Sequence, residues 1–453
     1  MFVDSGILYF AAGLLLAAAG VWLLVFLRRV IAVGAAYKAK VLCTAIFASG
    51  RDIDPQHADD VSADSYWFLR VFRAHVDRAG RSVTASVLGY WPRTAFYRPG
   101  LGATLTYPGR LQSLTIVSAR SATGDDTFHV AEGEEAPSIR TVVDEAFLEP
   151  DSRRLRRTRA VVIVKDGRIV AERYAPGFSA EMPLPGWSMT KSVMGALVGI
   201  LVGEGRLSLR DKDLLPEWRA SDKRSEIRLE DLLRMRSGLK FSESYSNMSS
   251  NVVQMLFNRP DAGAYAASLP LSHRPGTMWS YSSGTTNILS RIVRRVVGEA
   301  DYPDYPRRAL FDRIGMSSAM FEPDASGTFV GSSFMLATAR DWARFGRLHL
   351  QDGLWDGQRI LPEGWVRFST TPTPQSPGGC YGAHWWLKLQ KEMGGESGPA
   401  ARIPGDAFFA LGHEGQTLSV IPSCGLVVVR LGLSVNIEAW NHAAFLADLQ
   451  NAI

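Results

Sequence analysis

The longest uninterrupted apolar stretch lies near the N-terminus. Residues 6–27 contain no charged side chain, and at 1.5 Å per residue they predict about 33 Å of helix, which is enough to cross a bilayer. A cleaved signal peptide is the alternative, but no cationic segment precedes the apolar core, whereas Arg28 and Arg29 follow it. The pattern therefore predicts that residues 1–30 form a single membrane anchor.

Basic residues flank this stretch mainly on its C-terminal side. Arg28, Arg29, Lys38 and Lys40 follow it, and only Asp4 precedes it with a charge. The positive-inside rule then favours a cytoplasmic position for the rest of the chain. The preceding tail is very short, so a periplasmic position stays open.

Short β-rich stretches dominate the next segment. Residues 31–150 contain SVTASVLGYW and SLTIVSA among glycines and prolines, and an acidic patch follows at residues 132–135. None of these stretches carries recognisable chemistry. We predict an accessory region with three open roles: a separate domain, a partner-binding surface, or packing on the neighbouring domain.

In residues 151–453 the periodicity of the apolar residues changes twice. RAVVIVKDGRIVAERY predicts an antiparallel hairpin with an Asp-Gly turn. Helical periodicity follows from about 193 to 370, and strands return in AFFALGHEGQTLSVI and GLVVVRLGL before a last helix over 437–453. This order predicts an α+β domain: an antiparallel sheet flanked by helices from about 155–205 and 405–453, and a mainly helical part from about 206–400.

Composition removes several classes of function. The chain has 453 residues, is 46% hydrophobic and carries a formal net charge of +5, and its densest basic run, residues 153–159, lacks the aromatics of a nucleic-acid surface. Three cysteines without CxxC spacing support neither a disulfide framework nor a zinc site. HExxH, P-loop and GxGxxG motifs are absent from the sequence, so no metal, nucleotide or other cofactor is predicted.

The first candidate catalytic residues lie in the stretch WSMTKSVMGALVGIL. Ser188 and Lys191 are three residues apart at the start of an apolar helical pattern, so they share one helix face. A buried lysine with a lowered pKa can take the proton of a serine, and the helix N-terminus can stabilise an oxyanion. The alternative is a serine N-cap beside a solvated lysine. The same spacing recurs at Ser237 and Lys240, where a helical run has just ended and a helix C-terminus is predicted.

Two further motifs support a catalytic role for Ser188 and Lys191. SMTK at 188–191, YSSG at 281–284 and HEG at 413–415 occur in this order. Together they resemble the class C β-lactamase and penicillin-binding-protein superfamily of serine hydrolases, and most closely its group containing 6-aminohexanoate-dimer hydrolases and esterases. The resemblance extends over about 155–453 and implies a β-lactamase/transpeptidase-like fold.

The resemblance also implies roles for individual residues. Ser188 would be the acylated nucleophile, Lys191 its general base or proton relay, and Tyr281 a second proton carrier that serves the leaving group. The alternative for Tyr281 is a buried tyrosine before a turn.

The third motif would form the far wall of the cleft. His413 and Gly415 match its strand, and the backbone N–H of Gln416 would join that of Ser188 in an oxyanion hole. Gly412 and Gly415 would let a ligand approach the backbone closely. A purely structural histidine is the alternative for His413.

Departures from the β-lactamase pattern bear on the substrate. Ser283 stands where β-lactamases commonly carry asparagine, and His413 where they carry lysine. This makes efficient β-lactam hydrolysis doubtful and favours a small amide or ester. Tyr245 falls where 6-aminohexanoate-dimer hydrolases place a substrate-contacting tyrosine. A cell-wall D-Ala-type peptidase or transpeptidase and a catalytically silent ligand-binding protein remain alternatives, and the sequence does not indicate an oligomeric state.

Overall fold

The structure is a computed structural model that describes residues 5–107, 135–219 and 221–453. SLTIVSA and residues 132–134 of the acidic patch lie outside the described residues. The helices are α1 (Ser5–Cys43), α2 (Pro137–Glu145), α3 (Thr190–Gly203), α4 (Leu229–Leu233), α5 (Asn251–Asn258), α6 (Ala262–Ala267), α7 (Ser283–Val297), α8 (Ala339–Leu350), α9 (Trp365–Thr370) and α10 (His442–Ala452).

The strands form two larger sheets and two small ones. They are β1 (Arg73–Asp77), β2 (Ser82–Val87), β3 (Tyr90–Arg98), β4 (Gly102–Leu105), β5 (Thr158–Lys165), β6 (Arg168–Tyr174), β7 (Leu184–Pro185), β8 (Met320–Phe321), β9 (Met335–Ala337), β10 (Leu354–Trp355), β11 (Gln358–Arg359), β12 (Phe408–Gly412), β13 (Gln416–Ile421) and β14 (Leu426–Gly432). The larger sheets have the orders β1-β2-β3-β4 and β12-β13-β14-β5-β6, and every pair in them is antiparallel.

The five-stranded sheet is buried on both faces, which explains its nearly continuous apolar strands. In β5, Val162 and Val164 join the main core, whereas Val161 and Ile163 join a second core on the opposite face. Helix α8 packs against β13, β14 and β5, and residues of α2 and α10 belong to the second core. The α+β fold predicted from the sequence is therefore confirmed.

Of two local predictions, the Asp-Gly hairpin is confirmed and the start of the last helix differs. The hairpin turn is Asp166-Gly167, with φ of 48° and 82°, as the type I′ turn of a two-residue hairpin requires. The last helix begins only at His442, because residues 437–439 form a separate 3-10 turn and Asn441 caps the helix through the N–H of Ala444.

Helix α1 runs without a break through the predicted boundary at residue 30. Its apolar residues from Ala12 to Leu27 are exposed, and the segment Ala12–Ala48 is long and apolar enough to cross a membrane. From Val33 onward its side chains are largely buried between β2, β3 and α5. The end of the helix therefore belongs to the same core as the C-terminal domain.

The two lysines of α1 are structural. Lys38 Nζ donates to the carbonyls of Leu69 and Phe72, and Lys40 forms a buried ion pair with Glu322, which also accepts from Ala103 N–H. Neither lysine lies free beside a membrane, so counting them as flanking charges was wrong. Arg28 and Arg29 alone remain of the basic residues that favoured a cytoplasmic orientation.

Candidate active site

A strained turn presents Ser188. Residues Trp187–Met189 form a 3-10 turn immediately before α3, and Trp187 has a φ of 48°, which is unusual for a bulky residue. The indole Nε1 of Trp187 donates to Glu414 at 3.0 Å, and the N–H of Gly186 donates to the carbonyl of Met335 at 2.9 Å. Ser188 makes no cap hydrogen bond, since Met189 occupies the N-cap position of α3. The N-cap alternative for Ser188 is therefore wrong.

Lys191 lies one helical turn further along, directly behind Ser188. Its side chain is buried, so the alternative of a solvated lysine is also wrong. Its Nζ lies 2.8 Å from Ser188 Oγ, 3.0 Å from Ser283 Oγ and 2.9 Å from the carbonyl oxygen of Ser332. These three oxygens account for the three N–H bonds of an ammonium group.

Glu243 is a site residue that the sequence did not reveal. Its carboxylate accepts hydrogen bonds from the hydroxyl of Ser283 and, at 2.8 Å, from the N–H of Ser283. The hydroxyl of Ser283 thus donates its proton to Glu243, and its oxygen accepts a hydrogen bond from Lys191. Glu243 lies in a polar loop, FSESYS, where an acidic residue has no periodic signal.

Burial and a nearby charge shift the pKa of Lys191 in opposite directions. Burial lowers the pKa of Lys191 to about 8, while the nearby carboxylate of Glu243 acts to raise it. Burial likewise raises the pKa of Glu243, and Lys191 opposes that shift. A substantial fraction of Lys191 is consequently neutral near pH 8 and able to accept a proton.

Tyr281 forms the adjacent wall, just before α7. Its position is fixed by the N-cap Ser282, whose side chain accepts from the N–H of Thr285. Lys191 Nζ lies 4.9 Å from the centroid of the Tyr281 ring. Burial raises the pKa of Tyr281, although hydrogen bonds with Ser188 and Trp386 oppose the shift. The phenol is therefore protonated at neutral pH and can donate a proton beside Ser188.

His413 lines the opposite wall as an uncharged ring. It stacks on Tyr245 with the ring centroids 4.5 Å apart, and its Nε2 lies 3.0 Å from the hydroxyl of Tyr66. Burial lowers the pKa of His413 to about 4. At neutral pH this position therefore offers no positive charge to a substrate carboxylate.

Glu414 ties this wall to the N-terminal region. Its carboxylate accepts from the hydroxyl of Tyr66 at 2.8 Å and of Tyr37 at 3.4 Å, as well as from Trp187. Burial raises the pKa of Glu414 to about 7. Tyr37 and Tyr66 were not singled out in the sequence, because nothing local marks a contact across more than 300 residues.

The glycines of the third motif serve protein packing. A Cβ on Gly412 would lie 2.3 Å from the carbonyl oxygen of Gly186, and one on Gly415, whose φ is 80°, would lie 2.7 Å from Arg430. Protein packing thus accounts for both glycines, and their predicted role in letting a ligand approach the backbone stays a prediction. The contact of Gly412 places the end of β12 against the turn that carries Ser188.

Gln416 begins β13 with its side chain directed into the sheet. Its amide exchanges two hydrogen bonds with the backbone of Gly432, at 2.7 and 2.9 Å. Its backbone N–H thus remains the group through which it would act in the predicted oxyanion hole.

Four of the eight predicted site residues line one cleft, and Gly415 and Gln416 are not in the lining of this cleft. Its volume is about 870 Å³, and it is lined by Ser188, Tyr245, Tyr281 and His413, with Glu243 beside them. Lys191 and Ser283 lie immediately behind Ser188. Across residues 5–107, 135–219 and 221–453, no three His, Cys, Asp or Glu side chains are grouped to hold a metal ion.

The second serine-lysine pair has a different environment. Ser237 is buried, its hydroxyl lies 3.4 Å from that of Thr285, and it accepts from the N–H of Leu239, whereas Lys240 is exposed. Helix α4 ends at Leu233, and Met235, with a φ of 57°, follows its C-cap Arg234, so Gly238, whose φ is 76°, lies in the loop beyond the helix end.

Comparisons with known proteins agree with the three motifs. The Beta-lactamase family model matches residues 143–444, more than half of the chain. The 6-aminohexanoate-dimer hydrolase of Paenarthrobacter ureafaciens is 27% identical over 299 residues, which are 60% of this chain and 72% of that protein. The resemblance inferred from the sequence is thereby confirmed.

Solved structures show the same fold. A family VIII carboxylesterase matches with a TM-score of 0.54 at 16% identity, over 72% of this chain and 99% of its own. A penicillin-binding protein homologue from Caulobacter crescentus matches with a TM-score of 0.53 at 17% identity, over 71% of this chain and 98% of its own. Helix α1 and strands β1–β4 precede the residues matched by the family model. On the family match, with the fold in agreement, the chain belongs to the beta-lactamase family.

Proposed function

We propose that this protein is a serine hydrolase that cleaves an amide or ester through an acyl-enzyme on Ser188. The observation that carries the proposal is the hydrogen-bond arrangement around Lys191. The Ser332 carbonyl can only accept, and Ser283 is an acceptor because its proton binds Glu243. When Lys191 is neutral, its two N–H bonds serve these two oxygens and its lone pair faces the hydroxyl of Ser188.

The proposed reaction follows from this arrangement. Lys191 takes the proton as Ser188 Oγ attacks the substrate carbonyl, and backbone N–H groups of Ser188 and Gln416 stabilise the oxyanion. Tyr281, protonated and next to Ser188, gives a proton to the leaving amine or alkoxide. Water then attacks the acyl-enzyme, and Lys191 with Tyr281 moves the protons of deacylation.

Charge at the cleft narrows the substrate class. The neutral His413 supplies no cation for a carboxylate, and Ser283 replaces the asparagine common in β-lactamases. Lys391 also lines the cleft, but it is exposed and forms an ion pair with Glu396. The names of the relatives, an amide-dimer hydrolase and a carboxylesterase, support amides and esters as substrates. We therefore propose an amide or ester without a carboxylate next to the scissile bond.

Membrane attachment is the second part of the proposal. The exposed apolar part of α1 has the length of a bilayer-spanning helix, and it leads directly into buried residues. Cleavage of a signal sequence would have to fall before Val33, because the following residues are part of the core. We propose that α1 stays uncleaved and tethers the hydrolase to the membrane.

Covalent labelling tests both parts at once. Membranes containing the full chain are treated with a serine-reactive fluorophosphonate, washed in alkaline carbonate and analysed by peptide mass spectrometry. We expect one adduct, on Ser188, that sediments with the membranes. Ser237 is the internal control, because its hydroxyl contacts no lysine and should remain unlabelled.

Other outcomes separate the two parts. An adduct on Ser188 in the carbonate supernatant would contradict the anchor and leave the hydrolase in place. Folded protein without an adduct would contradict the hydrolase and favour the silent ligand-binding protein.

The pH dependence tests the role of Glu243. For an uncharged substrate, kcat/KM is expected to rise with pH and reach half its maximum near pH 8, because acylation requires neutral Lys191. Glu243→Gln removes the negative charge that favours the ammonium form, so the pKa of Lys191 falls and the profile moves to lower pH. Steady-state kinetics from pH 5.5 to 9.5 measure this shift.

Glu392→Gln is the matched control. Glu392 also lines the cleft but is exposed, so solvent screens its charge and the profile should stay at the wild-type position. A profile that moves to higher pH in Glu243→Gln would contradict the assignment of Lys191 as the base.

A further inference from the structure

A second cavity lies beside the catalytic cleft, on the side of helix α1. Its volume is about 210 Å³, and its walls are mainly apolar, including Val33, Phe68, Met248, Val253 and Phe257. Among the described residues that line it, none is an aspartate, glutamate, lysine or arginine, and His413 is neutral. The cavity therefore suits an uncharged, apolar group. We call it the side pocket.

The side pocket and the catalytic cleft share part of their walls. Tyr245, His413 and Val435 line both cavities. Tyr245 and His413 form a stacked pair that borders both spaces, so the two cavities adjoin along this pair. A group bound in the side pocket consequently lies next to the site where a substrate carbonyl would be attacked.

The side pocket is also close to the exposed apolar part of α1. Val33 lies six residues after Leu27, the last exposed apolar residue of that part, which is about 9 Å along a helix. Residues Asp64–Val71, a 3-10 segment, contribute Phe68 to the pocket and expose Trp67 and Val71 to solvent.

The tip of the β2-β3 hairpin lies near the same part of α1 as the side pocket. Gly34 of α1 lies against the ring of Phe72, which precedes β1, and Arg73 pairs with Ser86 near the end of β2. Leu88, Tyr90 and Trp91 at the following tip are exposed. Exposed tryptophan, tyrosine and leucine beside an apolar helix are typical of a protein surface that contacts lipid headgroups.

From these observations we propose that the side pocket binds the hydrocarbon chain of the substrate. The enzyme would then hydrolyse an amide or ester of a long-chain amphiphile taken from the membrane surface. This rests on the proposed function and adds its substrate class. The chain enters from the side of the exposed aromatic residues and brings the amide or ester bond to Ser188.

Chain-length dependence tests the proposal. Full-length protein in detergent micelles is given two series, p-nitrophenyl esters of increasing acyl length and acetate esters of increasing alcohol length. In at least one series kcat/KM is expected to rise about fourfold for each added methylene until the pocket is filled, as burial of each CH₂ group predicts.

A matched pair of variants links the effect to the side pocket. Ser246 and Ser249 are both exposed residues of the same loop, and of the two Ser246 lines the pocket. Ser246→Trp is expected to reduce the ratio of long-chain to short-chain kcat/KM at least tenfold, and Ser249→Trp to keep the wild-type ratio. Ser246→Leu gives a smaller obstruction if the tryptophan variant fails to fold.

The outcomes distinguish this proposal from the proposed function. Hydrolysis of acetate esters with no gain from longer chains in either series would overturn the side-pocket proposal and leave the hydrolase intact. A chain-length gain that both tryptophan variants retain would also overturn it. Absence of any hydrolysis and of any adduct on Ser188 would contradict the proposed function itself.

Discussion

Ser188→Ala is expected to lower kcat for ester hydrolysis by about 10⁵-fold or more, because it removes the hydroxyl that lines the cleft within hydrogen-bond distance of Lys191. The fold should be unaffected, since the hydroxyl of Ser188 caps no helix and is half-buried. Rapid-mixing kinetics with a chromogenic ester measure both the burst of acylation and the steady state.

Ser237→Ala is the matched control for this variant. It alters the other serine that precedes a lysine by three residues, and turnover should remain within a few-fold of wild type. If Ser188→Ala retained more than a hundredth of the wild-type kcat, the acyl-enzyme mechanism would be wrong.

Lys191→Met is expected to slow acylation by about 10²–10⁴-fold, the usual contribution of a positioned general base. Methionine keeps an unbranched side chain of similar length in the buried site but cannot take the proton. Lys191→Arg should not restore activity, because a guanidinium group stays protonated at any working pH. Single-turnover acylation rates are the measurement.

Two controls separate loss of the base from loss of structure. Lys240→Met changes the exposed lysine of the second serine-lysine pair and should leave acylation unchanged. A small primary amine added to Lys191→Ala, whose truncated side chain leaves space for it, should restore part of the rate, with the gain increasing with pH. Wild-type acylation in Lys191→Met would show that Tyr281 or solvent supplies the base.

The part of the site that is local in sequence could be predicted from the sequence. Ser188 and Lys191 are one helical turn apart, and helical periodicity places them together without tertiary information. Tyr281 and His413 were found only through the order of three motifs, since neither has a local pattern that indicates catalysis. The central strands were predictable because residues buried on both faces give continuous apolar runs.

The remaining features of the site depend on contacts between residues far apart in the chain, which sequence periodicity does not predict. Glu243 reaches Ser283 across 40 residues, and Tyr66 reaches Glu414 across 348. Lys38 and Lys40 were counted as charges beside a membrane, yet buried carbonyl and carboxylate partners hold them inside the protein. The contacts that Gly412 and Gly415 make with Gly186 and Arg430 were likewise not predictable from the sequence.

Because helix α1 is continuous, the distance between its exposed apolar part and the active site is fixed. From Leu27, where the exposed apolar part ends, to Tyr37, which donates to Glu414, the helix rises about 15 Å. A flexible linker would let a tethered hydrolase sample many heights above a bilayer, but a rigid helix shared with the core fixes a single height. With the proposed membrane anchor, the enzyme would select substrates by the depth of their scissile bond as well as by its chemistry.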